Sequence, residues 1–346
     1  MKVGIWGWFH TGNYGDELMA LYVAKALREL GAEALVFGAR PELAEQHGFA
    51  RSDDVAEFFA QIAFCVFAEG GCLVDAGDSG NDKAERYEQM SEAALRENVV
   101  VYPFSIGGNG SGRDARPKGG LDRLWHRGVF GDTIVRLPGD LELVESFGAT
   151  SAVCVPDMLW EAADYLLDAE EREHQAVGDS VHRIGLNFLR RQVPDGLDAW
   201  VAERVPEDIE IIWLAVHTER RVKGELRAGE ESDRVKIFRH DDPLELLRFV
   251  GTLNVVVSSK LHVGLTALSQ GTTFLSCGGR PKTHAQLREV EASLIREESA
   301  VELIGSLFED GKSPVATQPS HERIGALKTA SAENRTWLKR WVDRRR

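Results

Sequence analysis

The feature that most constrains the fold is a recurrence. Short apolar, β-branched runs alternate with longer segments whose apolar residues fall three and four apart. In the first half the runs are residues 2–6, 34–38, 63–69, 99–105, 133–137 and 152–155. The segments between them, residues 16–30, 53–61, 84–98 and 141–147, have helical spacing, with Gly31 and Gly148 placed as stops. Runs apolar on both faces and separated by helices specify a parallel sheet covered on both sides.

The series then repeats. After an acidic, helix-like stretch at 161–177 come apolar runs at 183–189, 209–216, 235–239, 254–258 and 272–276. Helical spacing fills 197–205, 243–253, 262–270 and 284–294 between them. The expected fold is therefore α/β: two Rossmann-like domains, residues 1–160 and 178–320, facing across a cleft formed by the carboxyl ends of their strands. Residues 321–346 are expected to form a C-terminal helix docking across the domains through Trp337, Leu338 and Trp341. Its basic end, Lys339-Arg340 and Arg344-Arg345-Arg346, offers a peripheral contact with an anionic membrane surface as the alternative.

Composition narrows the function classes. With 346 residues and 43% apolar content there is enough to fill two cores. A formal charge of −14 argues against a nucleic-acid partner held by bulk attraction to phosphate, so an anionic ligand needs a few placed cations. Cys65, Cys72, Cys154 and Cys277 are scattered without a C-x-x-C, which fits thiols in a reducing compartment rather than zinc or disulfides. No leader pattern opens the chain and no apolar run reaches bilayer length, so the expectation is a cytoplasmic protein, at most peripheral at the inner membrane. No His-x-x-x-His pair occurs, and neither a metal nor an organic cofactor is expected.

Chemistry concentrates in loops at the carboxyl ends of the apolar runs. The first is Gly7-Trp8-Phe9-His10-Thr11-Gly12-Asn13-Tyr14-Gly15-Asp16-Glu17, a glycine-rich turn between a strand and a helix. Such a turn brings backbone and helix-start N–H groups close to a ligand. The spacing fits neither a P-loop nor a dinucleotide fingerprint. The competing reading is a tight turn with Asn13 or Asp16 capping the helix. Two further loops, Glu69-Gly70-Gly71-Cys72-Leu73-Val74-Asp75 and the run from Ser105 through Gly112, fall on the same sheet edge. The second half offers Ser258-Ser259-Lys260-Leu261-His262, where a strand runs directly into a helix, and Lys282 one loop further on. A cation and a histidine at such a turn suit an anionic substrate and a proton transfer, although most lone histidines and lysines are structural or solvated.

Taken in order, these motifs, together with Val135-Arg136-Leu137-Pro138-Gly139-Asp140 and Val155-Pro156-Asp157, resemble the polysaccharide pyruvyltransferase family from residue 3 to about residue 290. The resemblance implies a GT-B-type fold and transfer of pyruvate from phosphoenolpyruvate to a sugar as a ketal, in building a bacterial surface polysaccharide. The sugar is a polysaccharide unit or a lipid-linked precursor. On this resemblance Lys260, Leu261 and His262 fall on the family's Arg-Leu-His triplet, associated with phosphoenolpyruvate, and Lys282 on its downstream lysine. Arg136 falls on the arginine after the fifth strand, and Gly12, Asn13, Gly15, Asp16 and Glu17 on the opening turn. Lysine stands at 260 where the family has arginine, and Arg190 matches the family's strand-end arginine only with a shift. His262 is then the proton-transfer residue, Asp16 or Asp75 orients sugar hydroxyls, and Gly70 and Gly71 line the acceptor side. Two alternatives stay open: a GT-B glycosyltransferase with a nucleotide-sugar donor, and a sugar-binding relative without catalysis.

Overall fold

The computed structural model describes residues 1–73, 80–108, 120–173, 183–188, 197, 201, 203, 205, 207–217, 234–277, 281–289, 294–295 and 319–346. Contacts divide the chain into two units. The first is Met1–His10, Asp16–Met158 and Thr329–Arg346; the second is Thr11–Gly15 and Leu159–Lys328.

In the first unit the strands β1 (Lys2–Trp6), β2 (Glu33–Phe37), β3 (Ala50–Ser52), β4 (Cys65–Phe67) and β5 (Val101–Pro103) form a parallel sheet in the order β3-β2-β1-β4-β5. Beyond β5 lie β6 (Thr133–Val135) and β7 (Ala152–Cys154), which pair in parallel. Parallel bridges Val101↔Phe130 and Ile106↔Val135 link them to the segment around β5. The strand order therefore reverses between β1 and β4, the place where open α/β sheets accept ligands. Trp6 anchors this core, stacked on Phe37 at 4.1 Å with Phe58 edge-on. Each such fully buried side chain contributes roughly 1.5–3 kcal/mol of transfer free energy.

The second unit repeats the topology. Strands β8 (Arg183–Asn187), β9 (Glu210–Leu214), β10 (Val235–Phe238), β11 (Val255–Ser258), β12 (Thr273–Cys277) and β13 (Leu294–Ile295) lie in the order β10-β9-β8-β11-β12-β13, all parallel. Its reversal falls between β8 and β11. Ile184, Leu186, Trp213, Val255, Val257 and Leu275 fill its core.

Several details differ from the expectation. β3 has one apolar residue in three and no periodicity to announce it. The helix Pro41–His47 carries proline in its first turn and the left-handed Gly48 as its stop, but is too short for a helical stripe. The chain end is two helices, His321–Ser331 and Glu333–Arg345, rather than one. The second packs within the first unit: Trp341 stacks on Tyr102 at 4.5 Å and donates to Asp132 at 3.2 Å, and Arg344 pairs with the same carboxylate at 2.5 Å. Arg346 bonds the Leu30 carbonyl. Lys328, in the second unit, pairs with Asp164 at 2.6 Å. No helix among the described residues is long and apolar enough to cross a membrane.

Candidate active site

The centre of the second unit is built by polar groups at the ends of three strands. Asn187, closing β8, donates to the Leu214 carbonyl at the end of β9 (2.8 Å) and accepts from the Ser258 hydroxyl at the end of β11 (3.3 Å). The Ser259 N–H continues the ladder to the Asn187 carbonyl at 3.1 Å, and the Lys260 N–H donates to Ser258 Oγ at 3.0 Å. The helix Leu261–Ser269 follows at once, with Lys260 as its extended N-cap residue. Lysine carries no acceptor, so no side chain caps this helix start. Its first-turn amides and the positive end of the helix dipole therefore fall beside a cationic residue at the N-cap, a combination that attracts anions.

His262 stands half-buried in that first turn. The Thr266 hydroxyl ties back to the His262 carbonyl at 2.9 Å and accepts from the Tyr14 hydroxyl at 3.0 Å. Tyr14 thereby brings in the opening turn. Its N–H donates to the Val216 carbonyl at 2.9 Å, and Asn13 forms an antiparallel bridge with His217. Burial pushes the Tyr14 phenol well up from its usual range, so it stays a donor. The Asn13 amide lies 3.1 Å from His217 Nε2, which must accept and so holds its proton on Nδ1. Asn13 Oδ1 in turn accepts the Gly15 N–H at 3.1 Å, so the capping interaction anticipated for Asn13 is present beside its other contacts.

Gly15 explains the glycine spacing. A Cβ there would lie 1.8 Å from His262 Nδ1, so the bare backbone is the surface against which the imidazole rests. Gly12 has φ +65°, which only glycine adopts without strain.

The structure thus brings Gly12, Asn13, Gly15, Lys260 and His262 together, with Leu261 buried behind them. Lys282 is half-buried in the first turn of the helix Pro281–Glu289, after the neighbouring strand β12. Other anticipated residues lie in the first unit. Glu17 is fully buried and gripped by Arg40 through two bonds of 2.5 and 3.1 Å. Arg136 pairs with Asp157 at 2.8 Å, neither side chain having any exposure, and a Cβ on Gly107 would meet its Nε. Asp16 is half-buried in the first turn of the helix Tyr14–Glu29. Gly70 and Gly71 form the turn after β4. Asp75 and Arg190 lie outside the described residues. Among those described, no group of three His, Cys, Asp or Glu converges as metal ligands.

Sequence reasoning missed Tyr14, Asn187, His217, His240 and Thr266. Asn187 was detectable as the one uncharged polar side chain within the apolar run 183–189. His217 directly follows the apolar run of β9, at the same sheet edge where Lys260 follows β11. His240 packs edge-on to Tyr14 at 6.2 Å, a contact with no sequence signal.

Two parallel sheets of this strand order, each with its reversal point, define an α/β protein of the GT-B class. Solved structures of that architecture match along nearly the whole chain. MnaA of S. aureus, solved with UDP, is 10% identical with TM-score 0.64 over 99% of this chain and 96% of its own. The putative UDP-N-acetylglucosamine 2-epimerase of Listeria monocytogenes is 11% identical, TM-score 0.59, covering 96% and 93%. The glycosyltransferase SnogD of Streptomyces nogalater is 14% identical, TM-score 0.52, covering 100% and 99%. At these identities the likeness is one of fold. No curated protein matches the chain. The family model for polysaccharide pyruvyl transferases matches residues 13–279, and the chain belongs to that family.

Proposed function

We propose that the protein transfers the pyruvyl group of phosphoenolpyruvate to two hydroxyls of a sugar, forming a ketal and releasing phosphate. The observation that carries this reading is the uncapped helix start at Leu261, with Lys260 at its N-cap and His262 in its first turn against the Gly15 backbone. Phosphoenolpyruvate carries a phosphate and a carboxylate, and this chain is acidic, so its cations must be local. Lys260 and the helix amides bind one anionic group; Lys282, and Arg190 outside the described residues, are the cations the sequence offers for the other.

His262 moves the proton. The methylene carbon of the enol accepts a proton as one sugar hydroxyl adds to the adjacent carbon; the second hydroxyl then displaces phosphate, which leaves with its bridging oxygen and the remaining proton. Asn13 and His217 hold the opening turn against His262, and Asp16, the next residue after Gly15, orients the hydroxyls. The reaction serves surface-polysaccharide assembly from the cytoplasmic side. The basic end of the last helix is the segment available for peripheral contact with the membrane.

The test is phosphate release from phosphoenolpyruvate with a panel of sugars, comparing wild type with His262→Ala. Release should require an acceptor and should fall about 10²–10⁴-fold in the variant, the usual contribution of a positioned proton-transfer group. Equal release from both proteins would remove His262 from the mechanism.

A further inference from the structure

At the strand reversal of the first unit lies a cation that the proposed chemistry does not use. Arg86, on the helix Gly80–Arg96, is stacked among three aromatic rings, its guanidinium carbon 4.7 Å from the Trp8 centroid, 5.0 Å from Trp6 and 5.3 Å from Phe37. One terminal nitrogen donates to the Gly7 carbonyl, just past β1, and the other lies 3.3 Å from Nδ1 of the exposed His10. Nδ1 must be the acceptor, so the His10 proton sits on Nε2.

Among the described residues the guanidinium is held by hydrogen bonds and aromatic rings rather than by an ion pair. Among the described residues its buried Nε has no hydrogen-bond partner, and no carboxylate forms an ion pair with it. Glu69, past β4, is close enough to favour its charge, and that buried carboxylate accepts the Tyr87 hydroxyl at 3.0 Å. Burial works against the Arg86 charge, lowering its pKa. A partly desolvated cation with no ion pair among the described residues gains from a ligand that supplies negative charge. Stacking fixes the plane of the guanidinium, whose in-plane N–H groups match a two-oxygen anion.

Resting on the ketal-transfer reading, we infer that Arg86, with Trp8 and His10, forms an anion subsite for the acceptor, gripping a carboxylate or phosphate carried by the sugar. The acceptor is accordingly an anionic sugar, either a uronic acid or a phosphate-linked sugar.

Calorimetric titration of the full chain without phosphoenolpyruvate tests this, using glucuronic acid, glucose 1-phosphate and glucose. Wild type should bind at least one anionic sugar about tenfold or more tighter than glucose, as expected for a hydrogen-bonded charge pair. Preference for glucuronic acid identifies a carboxylate, and preference for glucose 1-phosphate a phosphate. Arg86→Gln should erase the preference, and Arg96→Gln, which removes an exposed arginine from the same helix, should keep it. Equal affinities or no binding in wild type, or a preference that survives in folded Arg86→Gln, overturns the proposal. Should Arg86→Gln fail to fold, Arg86→Lys decides, because it keeps the charge and loses the planar grip: weakened anionic-sugar binding supports the subsite and unchanged binding overturns it. No donor is present, so this result is independent of whether the ketal reaction occurs.

Discussion

Replacing Gly15 by alanine puts a methyl group where His262 already stands. The new carbon would lie 1.8 Å from Nδ1, 2.5 Å from Cγ and 2.7 Å from Cβ of His262, whereas ordinary contact begins near 3.4 Å. Because Cβ is among the atoms met, rotating the imidazole does not clear the clash; helix or turn must shift. The turn resists, since the Gly15 N–H is held by Asn13, and Tyr14 is bonded to both Val216 and Thr266. Overpacking of this kind costs about 1–3 kcal/mol. In a unit of this size that lowers Tm by about 2–4 °C for each kcal/mol. Turnover should suffer more, since a misplacement of about 1 Å costs on the order of 10²-fold in rate. Propensity alone argues the opposite, because Gly15 does not have positive φ and alanine gains up to about 1 kcal/mol over glycine within a helix. Thermal unfolding and phosphate release on Gly15→Ala therefore separate the two arguments. A variant with raised Tm and wild-type turnover would refute the claim that the opening turn seats His262.

Arg136→Met should lower stability by about 3–5 kcal/mol, because it strands the Asp157 carboxylate in the interior; adding Asp157→Leu should restore much of it, as read by denaturant unfolding. Burial, reinforced by Arg288, holds His284 below its usual 6.5. The unfolded chain then binds the proton more readily, so this residue's contribution is complete above pH 6.5 and is lost as pH falls through the window beneath it. Tm measured against pH should show that decline flattened in His284→Gln.

The repeat of apolar runs and helical spacing was enough to read two parallel sheets, because strands buried on both faces leave uninterrupted Val, Ile and Leu runs such as Val255–Val257. Glycine in the opening turn was legible as close approach; the partner it approaches was not. Gly15 and His262 are separated by most of the chain, and nothing local relates them. The same holds for Asn13 with His217 and Tyr14 with Thr266. Arg136 shows the limit from the other side. An arginine after a strand reads as a ligand-facing cation, and only the buried Asp157 beside it gives it an internal ion pair. Trp341 was legible as core because its amphipathic helix carries tryptophans on one side, but Tyr102 as its stacking partner was not.

The most direct test of the central claim is to incubate the protein with labelled phosphoenolpyruvate and an acceptor sugar and to identify the sugar product by mass and label. The product should be a sugar carrying one pyruvyl ketal, with phosphate released in equal amount and both products reduced about 10²–10⁴-fold in His262→Ala. A sugar that acquires no label from phosphoenolpyruvate, but is extended when a nucleotide sugar is supplied, would contradict it.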